Sequence, residues 1–155
     1  MSQILFSLST WLHAIATVLL IGHYLLLTLI YLPVLAKQEA GGIILSAISR
    51  RSRVWMYLSL VIFMITGIYL TVVDPNYLGI GNFGNLWGIL MLVKHLLIVG
   101  MIVMGFWFNA ILRVGPLMSS NSGADQAIVR FGLHSKLMAV SGVLVLFLTA
   151  LAQVE

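Results

Sequence analysis

Four stretches of this chain stay apolar for longer than a lipid bilayer is thick, and that pattern decides the class of fold. They run over residues 4–35, 53–73, 86–112 and 128–152. A hydrocarbon core of about 30 Å needs about 20 helical residues to cross it, and each stretch meets or exceeds that. The first is long enough to tilt or to project beyond the lipid. Inside hydrocarbon every backbone N–H and C=O needs an internal partner, which leaves only helices or closed barrels. The alternating ten-residue strands of a barrel are not seen. The sequence therefore predicts an all-α fold, a four-helix transmembrane bundle forming one domain over residues 1–155. With 8% charged residues, against about a quarter in an average soluble domain, the chain cannot cover a water-facing surface.

The connections set direction. Residues 37–52 carry Gly41-Gly42 and a short apolar run at 43–48 that suits an interfacial turn of helix. Residues 74–85 form a turn-rich loop with Pro75, Gly79, Gly81 and Gly84, and residues 115–127 hold Pro116 and the polar run 119–123. Lys37, Arg50, Arg51 and Arg53 lie between the first two spans, while Arg113 and Arg130 flank the last loop. The opposite face has no Lys or Arg in its tails or loop. The positive-inside rule then predicts an up-down-up-down bundle with both termini on the outer, periplasmic face of a bacterial inner membrane. Trp11, Trp55, Trp87 and Tyr31 sit near span ends, as interfacial anchors do. The net charge of +4 is explained by this topology, and no nucleic-acid partner is expected. The N-terminus has no basic n-region and is not read as a cleaved secretory signal. Cysteine is absent, which excludes disulfides, iron–sulfur clusters and thiolate chemistry.

All four histidines fall within spans and none in a loop. Ionisable residues inside a membrane are costly and read as functional by default, and neutral imidazole is the commonest metal ligand. His13 and His95 each lie nine residues into their spans, ~14 Å deep at the helical rise. His23 is ten residues further along the first span, about ten residues from Pro33, which marks that span's inner end; His134 is six residues into the fourth. The depths predict two pairs, His13 with His95 in an outer layer and His23 with His134 in an inner one. Low-spin b-type haem takes two axial ligands, imidazole suits iron, and bundle cores hold such cofactors between facing helices. Arg113 follows His95 by eighteen positions, five full turns on the same face, with Asn109 near that face. Either could meet a haem propionate, although Arg113 also simply obeys the charge rule.

Plainer readings stand beside these. A histidine in a span can be only a helix–helix hydrogen-bonding residue. Met56, Met64, Met91, Met101, Met104 and Met138 fit a copper(I) path, thioethers being soft ligands, or ordinary packing. Lys94 either snorkels to the outer interface or pairs with a substrate anion. Thr66-Gly67 reads as packing. Gly22, Gly67, Gly88, Gly100, Gly105, Gly132 and Gly142 offer small surfaces for close helix approach.

Trp11-Leu12-His13 followed by Gly22 and Leu32-Pro33, Arg53 with Thr66-Gly67, Lys94 with Asn109 and Arg113, and Arg130 ahead of Leu148-Thr149 together resemble the CopD-like (copper-resistance D) membrane domain over nearly the whole chain. His13 early in the first span also gives a weaker similarity to b-haem-binding membrane bundles such as bacterial membrane protoporphyrinogen oxidase. The first resemblance implies copper passage across the inner membrane. Related four-helix proteins are b-type cytochromes that exchange electrons with quinones. The chain departs from the copper-domain pattern at His23 beside Gly22 and at His134-Ser135-Lys136, where an acidic residue is more usual. Those departures add haem-type ligands and remove a carboxylate.

The expectation is a membrane b-type cytochrome with one or two haems, most simply two, ligated by His13/His95 and His23/His134. It would pass electrons to or from a quinone or a partner redox subunit, as a homo-oligomer or a subunit of a larger complex. Copper or small-cation transport through His and Met is the alternative, and a structural subunit of a membrane complex the second. Porphyrin oxidation is a weaker fourth.

Overall fold

The computed structural model describes the backbone of residues 2–38, 40–79, 84–112 and 121–154, with side chains for all of these except 2, 42, 46, 108–112 and 121–130. Among the described residues the only regular elements are helices. These are α1 (Ser2–Leu26), a π-helical turn (Leu27–Tyr31), α2 (Leu32–Leu35), α3 (Gly41–Val72), α4 (Leu86–Leu112) and α5 (Asn121–Ala152). Four segments are long and apolar enough to cross a membrane: Gln3–Leu35, Ile43–Val72, Leu86–Trp107 and Phe131–Ala152. Their outer surfaces fit only a hydrocarbon solvent. Val18, Val54 and Ile65 are 69%, 71% and 66% exposed, an arrangement water would penalise along every span.

The first rod runs through Pro33 instead of stopping there. Proline lacks an N–H and its ring clashes with the carbonyl four residues back. The chain answers by widening one turn: the Leu32 N–H bonds the Leu27 carbonyl, five residues back. Such local π adjustments are how membrane helices re-satisfy the backbone around proline. The helix therefore continues to Leu35, past the end that Pro33 marks by sequence.

Two boundaries lie outside the expected spans. α3 begins at Gly41, not near 53, so the run 43–48 is part of one 32-residue helix that also carries Arg50, Arg51 and Arg53 on exposed faces. No proline interrupts it, and arginine is a good helix former. Its first turns are held by a buried cluster of Leu27, Leu32, Leu35, Leu45 and Phe131, with Ile48 packed alongside. Likewise α5 starts at Asn121, seven residues before the expected boundary. After α3 the described residues 73–79 and 84–85 make polar turns and a cap, while Gly81 lies outside the described residues. Asp74 Oδ1 accepts the Asn76 N–H, Gly79 takes φ 105°, and Asn85 Oδ1 accepts the Gly88 N–H at 2.9 Å, capping α4. Pro116 and residues 113–120 lie outside the described residues.

Packing is uneven. α1 lies against α3 and α5, and α4 packs chiefly on α5. The C-terminal half of the first rod meets the N-terminal parts of α3 and α5 through the cluster above. A second cluster joins Ala16, Phe63, Ile98 and Val145 from all four spans. Between the two sits a central cavity. Of the anchors expected at the interface, Trp11 and Trp55 are exposed, but Trp87 is only 4% exposed and meets Tyr77 edge-on at 6.5 Å.

Glycines divide into working and idle positions. A Cβ on Gly41 would collide with the Leu35 carbonyl, and one on Gly142 would lie 3.0 Å from Ile21 Cγ2. Gly22, Gly100 and Gly132 have open space there. Gly41→Ala and Gly142→Val should each destabilise the bundle by about 1–3 kcal/mol. Gly100→Ala should be neutral or stabilising by up to ~1 kcal/mol, the helix-propensity difference. Thermal unfolding in one detergent checks the contrast.

Candidate functional site: two histidine layers around an apolar cavity

The better-defined layer is at His13. Its Nδ1 lies 2.9 Å from Thr66 Oγ1 across the α1/α3 contact. The Thr66 hydroxyl has one hydrogen, and it reaches the Ile62 carbonyl at 2.6 Å on its own helix. The imidazole must therefore donate from Nδ1, leaving Nε2 with its lone pair. The ring is also clamped in orientation. It stacks on Phe63 with centroids 4.5 Å apart and planes 22° apart. On its other contact a Cβ at Gly67 would sit 3.2 Å from His13 Cε1. Lys94 of α4 is near enough for its charge to act on His13.

His95 is exposed on α4, and its Nδ1–H donates to the Met91 carbonyl at 2.6 Å one turn back on its own helix, which leaves Nε2 free as at His13. A shared metal would need the two Nε2 atoms ~4 Å apart, twice a metal–imidazole bond.

In the expected inner layer each histidine touches Tyr24, a residue the sequence reading passed over. Tyr24 meets the His23 ring at 5.5 Å and the His134 ring at 6.2 Å, both edge-on. His23 Nε2 also lies 3.5 Å from Ser52 Oγ of α3, at the limit of a hydrogen bond. His134 is buried at 8% exposure. The Tyr24 ring thus touches both imidazoles, one on its own chain neighbour and one on α5. Among the described residues no group of three or more His, Cys, Asp or Glu side chains gathers. Arg113 lies outside the described residues, and Asn109 is in α4 with its side chain outside them.

The cavity between the layers measures about 110 Å³ and draws on all four spans. Tyr24, Tyr57 and Phe106 line one end, Phe63, Ile98 and Val145 the other, and Met56, Met101 and Met138 border it. Tyr57 stacks on Phe106 at 6.0 Å, bridging α3 and α4. The lining is apolar except for Thr17 and the two phenols. Thr17 already donates to the His13 carbonyl at 2.7 Å.

For haem, the residues fit in part. His13 and His95 each donate from Nδ1, to Thr66 and to the Met91 carbonyl, and keep Nε2 free, the arrangement that orients metal-ligating imidazoles. Thr66 therefore does more than pack, because it sets the state of His13. A lone hydroxyl opposite a histidine in another apolar span was the available signal, but nothing in one sequence tells which span faces which.

Thr66→Val should leave the His13 N–H without its acceptor and cost about 1 kcal/mol, the usual worth of an interhelical hydrogen bond in a membrane protein. Thr71→Val, whose hydroxyl serves its own helix at the Gly67 carbonyl, should cost less. Parallel unfolding measurements on the two variants check the ordering.

No protein-family model, curated protein or solved structure matches this chain.

Proposed function

We propose that this protein is a multi-pass membrane b-type cytochrome of CopD-like character that binds haem through His13 and exchanges electrons with an apolar carrier of the quinone class. The observation that carries the reading is the His13 imidazole, held flat on Phe63, tied at Nδ1 to Thr66 and left with Nε2 as its ligand atom. The resemblance through Trp11-Leu12-His13, Thr66-Gly67 and Lys94 points the same way. The topology in this reading is up-down-up-down with both termini periplasmic in a bacterial inner membrane. The basic residues Lys37, Arg50, Arg51 and Arg53 support it, as does the meeting of the C-terminal half of the first rod with the starts of α3 and α5.

When bound, haem supplies one-electron chemistry, with axial ligation and burial setting its potential. The chain's own residues orient and insulate. Thr66 holds the His13 tautomer, Gly67 leaves room for its ring, and Lys94 brings positive charge that suits a propionate. The central cavity receives the ring of a quinone, with the Tyr24 and Tyr57 phenols as hydrogen-bond donors and the Phe63 end as the apolar wall. The contacts of Tyr24 with both His23 and His134 weigh toward one haem per chain over two in this reading.

A second reading rests on the methionines. Met56, Met101 and Met138 border one cavity, and three thioethers there suit copper(I).

The reduced-minus-oxidised spectrum and metal content of the purified protein separate the two. The cytochrome reading expects sharp α and β bands and about one haem per polypeptide. It also expects near-complete haem loss in His13→Ala and, for the His13/His95 pair, in His95→Ala as well. Full haem in His13→Ala overturns the ligand assignment, and copper without those bands selects the second reading.

A further inference from the structure

One outward face of α3 ends in charge that no described group answers. Val54, Leu58, Val61, Ile65 and Ile68 are all exposed, and their spacing of four and three residues lines them up as a single stripe. Arg50 and Arg51 precede Val54 by four and three residues, so both stand at the head of that stripe. Both are exposed, and neither makes an ion pair or hydrogen bond among the described residues.

Depth places these groups at a bilayer boundary. α3 ends at Val72, with Asp74 just beyond it. About 20 helical residues counted back from there cross the ~30 Å hydrocarbon core, which puts its other edge near Val54. Trp55 is exposed beside that edge, where an indole sits at headgroup level. Arg50 and Arg51 stand ~5 Å further along the axis, among the headgroups. From Val54 to Ile65 the stripe rises ~17 Å, about one leaflet and so the reach of an acyl chain.

Lipid or a second copy could cover such a face. Copies in one membrane share a direction, so a two-fold contact centred here would set arginines against arginines. The stripe carries no carboxylate to neutralise them, and residues 37–53 hold four basic residues against one acidic residue, Glu39. We propose that Arg50 and Arg51, with Trp55, hold the phosphate of an anionic phospholipid whose acyl chain lies along the stripe. Guanidinium forks bind phosphate oxygens bidentately. The indole sets the level of the glycerol, and the exposed aliphatic side chains meet the acyl chain. An anionic lipid fits better than a zwitterionic one, which carries its own cation beside the phosphate. The site is independent of haem and of the central cavity.

Native mass spectrometry of the full-length protein tests the site with two probes, dioleoyl phosphatidylglycerol and dioleoyl phosphatidylcholine. One phosphatidylglycerol should be held about tenfold tighter than phosphatidylcholine, and the double variant Arg50→Gln/Arg51→Gln should erase that preference. Arg53→Gln should keep it, because Arg53 lies about 100° round α3 from the centre of the stripe. Equal binding of the two lipids overturns the site, as does a preference that survives the double variant or a loss in Arg53→Gln as large as in the double variant. A dimer that tightens when Arg50 and Arg51 are neutralised puts a second copy on the face and overturns it too. Tryptophan fluorescence in phosphatidylcholine nanodiscs gives an answer that begins from the unaltered chain. A small fraction of brominated-chain phosphatidylglycerol should quench more than the same fraction of brominated-chain phosphatidylcholine, and Trp55→Phe should remove the excess. Equal quenching by the two, or an excess that Trp55→Phe leaves intact, overturns the proposal.

Discussion

In hydrocarbon a backbone group without a partner has no water to fall back on, and Pro33 removes a donor inside the first rod. The π bond from Leu32 to the Leu27 carbonyl is the repair. Because the rod survives, Leu32 and Leu35 continue beyond the proline and meet Leu45 and Phe131. That junction seats the start of α3 beside the end of α2, so closely that Gly41 leaves no space for a side chain. It also brings the π turn onto α5, which sets Tyr24 against His134. One missing N–H thus shapes both the packing and the polar layer at that end of the bundle.

What the sequence makes legible follows from which helical parameters are fixed. Rise per residue is constant, so depth along each span could be counted. Rotation about the axis is fixed only within a helix. Nothing in the residues of the first and third spans alone says how they turn toward each other, and His95 turns outward while His13 turns to α3. That rotation comes from side-chain fit, such as the His13 ring over Gly67 and Ile21 against Gly142. Span existence was legible for the same reason as depth, since hydropathy is additive along the chain. Span ends were not. Arg50, Arg51 and Arg53 read as loop because they are charged, yet a helix leaving the bilayer keeps its backbone bonds while its side chains change solvent.

The polar groups of the described spans divide by what their hydrogen bonds serve. Thr10, Thr17, Thr71 and Thr149 satisfy themselves on their own helices. They tolerate lipid or packing without specifying a neighbour. Thr66 both bonds its own helix and accepts from His13, so it ties α1 to α3 while deciding which imidazole nitrogen is free. In the other layer, Ser52 of α3 approaches His23 and Tyr24 of α1 meets His134 of α5. Specificity between spans is therefore concentrated at two levels, and the apolar cavity separates them.

That separation bears on how a bundle this small can host chemistry. A polar group in lipid is tolerable when its partner is permanent, as with Thr66 and His13, and adaptable when its partner is a ring edge, as with Tyr24. The first level is rigid: a hydrogen bond, a flat stack and a glycine fix one ring in three ways, which suits a group whose ligand atom must be held in place. The second level rests on edge-on aromatic contacts and a hydrogen bond at its length limit, which suits groups that shift as protons or small molecules come and go. Between them lies a lining of methionine, aromatic and aliphatic side chains. A rigid imidazole on one side and an adaptable polar cluster on the other thus stand apart across an apolar cavity drawn from all four spans.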